Sequence, residues 1–216
     1  MKDGITRVKR GRREAKEHYD KVAPYYDILE GSFEKKYRDM GIDLLGIEEL
    51  DKILEIGYGT SDSLIEIAKR VRDHAYGIDI STGMAKVTQK KMSRENIQNI
   101  SLVCGDAVYL PFEDRSFDKI FMSFTLDLID TPDIPRVIAE INRVLKDEGE
   151  LGIVCLSSDE TIPVNAYEGL HRLFPKYLDC RPISPEKILK DAGFKIIKSM
   201  EEQIVIFPIK LVVGKV

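Results

Sequence analysis

The sequence predicts an α/β fold built on a mostly parallel, doubly wound β-sheet. From about residue 50 onward, short runs rich in β-branched residues alternate with amphipathic helical segments, which is the rhythm of repeated βαβ units. Near the C-terminus two apolar runs lie only a few residues apart, and so short a connection is typical of an antiparallel pair. We therefore expect parallel strands followed by a hairpin, in one domain that spans all 216 residues.

Each strand is assigned from an apolar run, and each helix from apolar residues at helical spacing. The predicted strands span 52–57, 75–80, 100–105, 118–124 and 149–156, with 194–202 and 203–215 as the hairpin. The predicted helices between them span 62–71, 83–94 and 134–145. Gly149 is predicted to stop the third helix. Ser184 and Pro185 open a further helix, because proline is favoured in the first turn.

Two segments are predicted to cover the sheet. Before residue 50 the chain reads as helical over 12–28 and 33–45, and we interpret 1–48 as an N-terminal helical cap. After the fifth predicted strand, 157–182 carries aromatic residues at helical spacing beside the carboxyl end of the sheet. Insertions at that place often serve as lids in α/β enzymes, so we expect a lid there.

Charge and composition indicate few extended partners. The net charge is −4 and both signs are mixed along the chain, so the fold carries no strong nucleic-acid or membrane field. The exception is the basic arm 7–13, with five cations, which we interpret as a solvated arm that could also bind an anionic surface. No signal-peptide pattern follows this arm, and we expect a cytoplasmic protein.

Neither a membrane span nor a metal site is predicted. The longest apolar run, at the C-terminus, is interrupted by Pro208 and Lys210 and is shorter than the roughly 20 residues that a bilayer requires. The three cysteines, Cys104, Cys155 and Cys180, are odd in number and far apart, so they suggest neither a disulfide framework nor a metal centre. We interpret them as buried free thiols.

The stretch LEIGYGTSD (54–62) predicts where a ligand binds. It forms the first strand-to-helix turn, where glycines let the backbone approach a ligand closely. A dinucleotide fingerprint requires a third glycine at position 62, but Asp62 stands there. Its carboxylate would repel a pyrophosphate at the helix N-terminus. A phosphate-free ligand that carries a sulfonium and an ammonium, such as S-adenosylmethionine, fits this acidic turn better.

Two more carboxylates follow the next two predicted strands. Asp79 lies 22 residues after Gly57, where an acidic side chain can accept both ribose hydroxyls. It could instead cap the next helix, although Ser81 is better placed for that. Asp106 can accept the exocyclic amine of an adenine, while Ala107 leaves room for the ring. Taken alone, Asp106 could also be a turn residue.

Four motifs together resemble the class I S-adenosylmethionine-dependent methyltransferases over roughly residues 50 to 156. They are ILEIGYGTSDSL, YGIDISTGMAKVTQKK, VCGDAVYLPFEDRSFDKIFMSFTLDLIDTP and VIAEINRVLKDEGELGIV. GDAVYLPFEDRSFD and the N-terminal YDKVAPYYD are similar to the small-molecule branch that includes the ubiquinone and menaquinone biosynthesis methyltransferases. The resemblance implies a Rossmann-like seven-stranded sheet whose last strand is antiparallel, with S-adenosylmethionine as cofactor.

The resemblance also implies which residues contact the cofactor, with Tyr26 closing over its methionine end. We expect contacts from Glu55, Gly57, Tyr58, Gly59, Asp79, Ile80, Met84, Asp106, Ala107 and Ser123. Tyr19 and Tyr26 are further candidates, because aromatic faces stabilise a nearby sulfonium.

Methyl transfer depends mainly on aligning nucleophile, methyl group and sulfur, so no catalytic triad is required. If the acceptor must lose a proton, the candidate bases are Asp127, expected at the cavity rim, and more weakly His171 and His18. The acceptor is expected to be small and apolar or aromatic, quinol-like, phenol-like or an amine. Two alternatives stay open: a non-catalytic module that docks to RNA, membrane or protein through the basic arm, and a disfavoured NAD-dependent oxidoreductase.

Overall fold

A computed structural model describes residues 8, 11–25, 34–158, 180–204 and 207–216. The helices are α1 (Arg12–Val22), α2 (Lys35–Leu45), α3 (Asp62–Arg70), α4 (Thr82–Glu95), α5 (Ile134–Val144) and α6 (Pro185–Asp191), with short 3-10 turns at Ala23–Tyr25 and Leu126–Leu128. The strands are β1 (Ile53–Ile56), β2 (Ala75–Asp79), β3 (Ile100–Cys104), β4 (Phe117–Ser123), β5 (Leu145–Leu156), β6 (Lys195–Ile204) and β7 (Phe207–Lys215).

The described residues form one seven-stranded sheet in the order β3-β2-β1-β4-β5-β7-β6. Strands β1 to β5 run parallel to one another, and β7 runs antiparallel to both β5 and β6. This confirms the predicted mostly parallel sheet with a reversed last strand and a terminal hairpin. From β1 the chain first continues to β2 and β3 on one side of the sheet and then crosses to β4 on the other side. Open α/β sheets bind their ligands at such a switch point.

Helices pack on both faces of the sheet, so the fold is doubly wound. Successive residues of β1 alternate between two apolar clusters, because side chains alternate across a strand. Leu54 packs in the cluster that contains the apolar side of α5, and Ile53 packs in the cluster that contains α2 and α3. The sheet therefore separates the two clusters. The site lies at the carboxyl ends of the strands, between these clusters.

The predicted stop at Gly149 is wrong. Helix α5 ends at Val144, and β5 begins directly at Leu145, whose buried side chain joins the core opposite Phe117. The register between β4 and β5 then shifts, and the residue with a left-handed backbone is Glu148, at φ 66°. The early pairing with β4 ends the helix before the glycine is reached.

The two predicted covering segments are described in part. The helix predicted over 12–28 is α1, followed by the 3-10 turn Ala23–Tyr25, and the one predicted over 33–45 is α2. Residues 26–33 and most of the predicted lid, 159–179, lie outside the described residues. The described residues on either side of 159–179 are hydrogen-bonded to each other: the N–H of Ser158 donates to the carbonyl of Ile183 at 2.9 Å.

Within the described ranges, the helices are too short or too polar to reach across a bilayer.

Gly41 lets α2 approach the sheet closely. A Cβ atom at this position would lie 2.3 Å from a methyl group of Val154 and 3.1 Å from the ring of Phe121. Both neighbours are fully buried strand residues that cannot move aside easily. The absence of a side chain at Gly41 therefore sets how near α2 lies to β4 and β5.

We expect Gly41→Ala to lower the free energy of unfolding by about 1 kcal/mol or more. Overpacking of a filled core costs about 1–3 kcal/mol, which exceeds the ~1 kcal/mol that alanine gains in helix propensity. Urea unfolding measures the change. Lys36→Ala, on the exposed side of the same helix, is the control and should stay within ~0.5 kcal/mol of the wild type. A variant Gly41→Ala as stable as the control would contradict this packing account.

Candidate cofactor site

A cavity of about 240 Å³ opens at the carboxyl ends of β1, β2, β3 and β4. The structure brings eleven of the twelve predicted cofactor residues together around it: Tyr19, Glu55, Gly57, Tyr58, Gly59, Asp79, Ile80, Met84, Asp106, Ala107 and Ser123. Tyr26, the twelfth, lies outside the described residues. That these residues contact a cofactor stays a prediction, but they form one continuous lining.

The glycine turn leaves bare backbone at the base of this cavity. Gly57 and Gly59 have φ angles of 76° and 50°, in the left-handed region that favours glycine. A Cβ at Gly57 would lie 2.3 Å from the side chain of Thr125, which follows β4. Two features therefore require glycine at position 57: its left-handed backbone conformation and its close contact with Thr125. Ser61 also has a positive φ, 72°, immediately before α3.

Asp79 joins the turns after β1 and β2. Its two carboxylate oxygens accept hydrogen bonds from the N–H of Gly59 at 2.9 Å and of Ser81 at 2.8 Å. Burial raises the pKa of Asp79, although these two backbone bonds oppose the change. The hydroxyl of Ser81, not Asp79, accepts from the N–H of Met84 and caps α4. The carboxylate of Asp79 is thus available to the cavity through its remaining lone pairs.

Glu55 is a buried acid with one unused oxygen. Its side chain is 1% exposed, and the hydroxyl of Ser63 donates to Oε1. Oε2 has no hydrogen-bond partner among the described residues. Burial raises the pKa of Glu55 to about 8, against the opposing effects of Ser63 and Arg38. At pH 7 the raised pKa favours the neutral carboxylic acid at this position.

Arg38 is a cavity residue that the sequence analysis missed. Its side chain is 13% exposed, and it lies 3.5 Å from Glu34 and 3.5 Å from Asp62 in ion-pair contacts. Its Nη2 atom is buried and makes no hydrogen bond within the described part of the chain. A signal was present, since Arg38 lies four residues before Ile42 on the buried face of α2.

Asp62 begins α3, as the acidic first residue of that helix. Its carboxylate lies 2.7 Å from Nζ of Lys91, and Arg38 approaches its other oxygen. A negative charge at this helix N-terminus is stabilised by the helix dipole. The position where a pyrophosphate would lie already holds a paired carboxylate, in agreement with the sequence argument against a dinucleotide.

Asp106 and Arg12 meet at the other end of the cavity. Asp106 Oδ1 accepts from the N–H of Val108 at 3.1 Å, so this residue also forms the turn that the sequence allowed. Its Oδ2 lies 3.5 Å from Nη1 of Arg12. Arg12 in turn donates to both oxygens of Asp133, at 3.2 Å and 2.8 Å. The interpretation of 7–13 as a solvated arm is therefore wrong for Arg12.

The positions expected for the catalytic candidates are not supported. Asp127 was expected as a rim carboxylate, but it is fully buried below the cavity, where Oδ2 accepts from the N–H of Leu156 at 3.4 Å. The reason is the 3-10 turn Leu126–Leu128, which folds Asp127 back against β5. His18 packs edge-on against Tyr19 and does not line the cavity. His171 lies outside the described residues.

Comparison with known proteins places the chain in a family. The methyltransferase-domain family matches residues 53–149, from β1 into β5. A demethylmenaquinone methyltransferase from Lactobacillus johnsonii is 33% identical over 168 residues, which cover 74% of this chain and 68% of that protein. One from Listeria monocytogenes is 31% identical over 150 residues, and the match spans 62% of that relative's length, less than two thirds.

Solved structures show the same fold. The cyclase SpnF superposes with a TM-score of 0.77 at 16% identity, over 98% of this chain and 97% of that chain. A SAM dependent methyltransferase from Aquifex aeolicus gives a TM-score of 0.64 at 21% identity, over 82% of this chain and 88% of that one. At such identities the likeness concerns the fold alone. The sequence relatives, with the Lactobacillus johnsonii protein 33% identical and covered over 68% of its length, show that the chain belongs to the methyltransferase family.

Proposed function

We propose that this protein transfers a methyl group from S-adenosylmethionine to a small, largely apolar acceptor with a quinol-like or phenol-like ring. The observation that carries the proposal is the placement of buried polar atoms of opposite character in one cavity. Glu55 Oε2 is buried without a hydrogen-bond partner among the described residues, and Arg38 Nη2 is buried with no hydrogen bond there beyond a 3.5 Å ion-pair contact with Asp62. Buried polar groups normally have partners, so these two indicate a ligand with complementary charges.

The residues present fit the cofactor. Its amino-acid end carries an ammonium and a carboxylate, for which Glu55 and Arg38 are the complementary groups. Asp79 would accept the ribose hydroxyls, and Asp106 beside Ala107 would receive the adenine. An arriving ammonium would favour the ionised form of Glu55, because an opposite charge nearby lowers the pKa of a carboxyl group.

The acceptor proposal rests on the apolar part of the lining and on the relatives' names. Ala15, Tyr19, Leu128 and Ile129 contribute apolar surface to the same cavity. The two relatives described above are named as methyltransferases of demethylmenaquinone, a compound with a hydroxylated or quinoid aromatic ring. An apolar lining of this kind suits an aromatic ring better than a charged polymer.

When bound, S-adenosylmethionine supplies a methyl group on a positively charged sulfur. The chain's own contribution is to bind, orient and exclude water. Positioning of two reactants in one cavity is worth about 7–11 kcal/mol of a reaction barrier, and the ring of Tyr19 can add cation–π stabilisation of roughly 0.5–2 kcal/mol. A general base from Asp127, His18 or His171 stays a prediction, and the buried position of Asp127 argues against that residue.

The two alternatives predict other outcomes. For a docking module, every cation of the basic arm should be available, yet Arg12 is bound to Asp133 and to Asp106; Arg7, Lys9 and Arg10 lie outside the described residues. For a nicotinamide oxidoreductase, phosphates should reach the N-terminus of α3, yet Asp62 lies there with Lys91. Both observations favour methyl transfer.

Incubation with methyl-labelled S-adenosylmethionine tests the proposed activity. We expect label to appear in a short-chain demethylmenaquinol, and no label in the corresponding menaquinol whose ring position is already methylated. Chromatography of the extracted quinols measures the transfer. Tight binding of S-adenosylhomocysteine without label in any quinol or phenol of a metabolite extract would favour the docking module instead.

Asp79→Asn tests the ribose contact. We expect the affinity for S-adenosylhomocysteine to fall roughly tenfold or more, because a hydrogen bond to a charged group contributes about 1.5–3 kcal/mol. Isothermal titration calorimetry measures it. Asp73→Asn, an exposed change just before β2 at the opposite edge of the sheet, is the control and should bind like the wild type. Equal affinity in both variants would exclude Asp79 from the site.

Glu55→Gln tests the buried acid. The pKa of Glu55 is about 8 in the folded state and 4.5 in a model peptide, so the unfolded chain releases this proton first. Between these two values the free energy of unfolding of the ligand-free protein should fall as pH rises. Glutamine removes this part of the pH dependence.

Urea unfolding of both proteins at pH 5, 6.5 and 8 measures the difference between them. The stability of Glu55→Gln relative to the wild type should rise steadily across this range. Glu113→Gln, an exposed control, should keep the wild-type pH dependence. Parallel curves for the wild type and Glu55→Gln would show that Glu55 is ionised in the folded protein.

A further inference from the structure

Helix α1 covers the cavity with one of its faces. Arg12, Ala15 and Tyr19 follow one another at helical spacing, and all three line the cavity. The opposite face carries Arg13, whose side chain is 91% exposed and pairs with Glu17 of the same helix. None of the residues of α1 is buried. Tyr19 packs against the apolar core, and polar contacts hold the two ends of the helix.

The C-terminal end of α1 is firmly attached to α4. Asp20 Oδ1 accepts from the hydroxyl of Ser81 at 2.7 Å and from the N–H of Gly83 at 2.8 Å. A Cβ at Gly83 would lie 2.8 Å from the Cα of Asp20, so the two backbones are in direct contact. Ala23 is buried immediately after the helix. This end of α1 is a fixed point.

At the N-terminal end of α1, Arg12 makes the contact with the rest of the fold. Its guanidinium donates to both oxygens of Asp133, at the start of α5, with exposed fractions of 39% and 23% for the two side chains. Asp133 makes no side-chain cap of α5, and its carboxylate lies 2.8 Å from Arg12 and 3.8 Å from Arg136. The two ends of this 11-residue helix are about 16 Å apart, at 1.5 Å per residue.

We propose that Arg12 is a positioning residue that fastens α1 as a hinged lid over the cavity, and that ligand exchange follows the opening of its ion pair with Asp133. The hinge lies near Ala23 and the fastening lies at the far end of the helix. Arg12 also faces Asp106, so the lid closes over the end of the cavity that we assign to adenine. The kinetic part of the proposal rests on the proposed function, since its ligand is the adenosyl cofactor.

Amide hydrogen exchange of the ligand-free protein tests the fastening itself. Arg12→Gln should raise the exchange rate of the α1 amides roughly fivefold. Loss of a partly exposed ion pair shifts the opening equilibrium of the helix by about this factor. Arg13→Gln, the adjacent exposed arginine, is the matched control and should leave exchange near the wild-type rate. Equal exchange in the two variants would overturn the proposal. This measurement needs no cofactor, so it distinguishes failure of the lid from failure of the proposed function.

Dissociation of S-adenosylhomocysteine, followed by stopped-flow competition, tests the control of exchange. We expect roughly fivefold faster dissociation for Arg12→Gln and for Asp133→Asn, and an effect in the double variant well below the product of the two, because the hydrogen-bonded Arg12–Asp133 pair is lost in each and the contacts of Arg12 with Asp106 and of Asp133 with Arg136 are longer, at 3.5 Å and 3.8 Å. The wild-type rate should rise with ionic strength more steeply than the rate of either variant. Additive effects, or rates equal to that of Arg13→Gln, would overturn the proposal. If the wild type does not bind this ligand, the proposed function fails and hydrogen exchange still decides the fastening.

Discussion

The carboxylate of Asp79 is the constraint on which the site depends. It accepts one hydrogen bond from the turn after β1 and one from the turn after β2, so it fixes the distance between the two loops that form the base of the cavity. Gly57 and Thr125 then fix the third loop, after β4, because their contact leaves no space for a side chain. Asp79 thus connects the loops after β1 and β2, and the absence of a side chain at Gly57 lets the loop after β4 approach them closely.

Acidic and basic side chains alternate around the base of the cavity. Glu55 is buried with a raised pKa, Asp62 is paired with Lys91 at the start of α3, and Arg38 contacts Asp62. Burial raises the pKa of Asp79 as well. The site therefore carries two acids whose ionised forms are costly in their buried positions, and a cationic ligand would relieve that cost. This arrangement explains why a sulfonium and ammonium ligand suits the site and a phosphate does not.

The N-terminal segment is held in a different way from the sheet. Helix α2 buries Ile42 and Leu45 and approaches the strands at Gly41, so it belongs to the core. Helix α1 buries none of its residues and is held at its ends by Asp20 and Arg12. Burial of apolar surface is strong and independent of salt, whereas half-exposed ion pairs are weak and screened. The segment before β1 thus combines one structural helix with one helix that polar contacts hold over the cavity.

The sequence by itself determined the order and type of the strands, the reversed last strand, and the position of the ligand turn. These features depend on local patterns: apolar runs, glycine spacing and acidic residues at strand ends, each of which acts within a few residues of the chain. Asp79 and Asp106 were predicted this way, because parallel strands bring their carboxyl ends to one edge of the sheet, whereas Glu55 was predicted from the family resemblance. The start of β5 was missed, because pairing with β4 begins at Leu145 and not at Gly149.

Only the tertiary structure decided the partners of charged residues far apart in the chain. Arg12 binds Asp133 across 121 residues and Asp20 accepts from the N–H of Gly83, 63 residues further on, and no local pattern encodes either contact. Asp127 follows a strand, as a rim residue would, yet a 3-10 turn buries it against β5. The sequence shows the sign of a charged residue and the helix face on which it lies. Its partner depends on how the chain packs, because electrostatic contacts depend on distance in space and not along the chain.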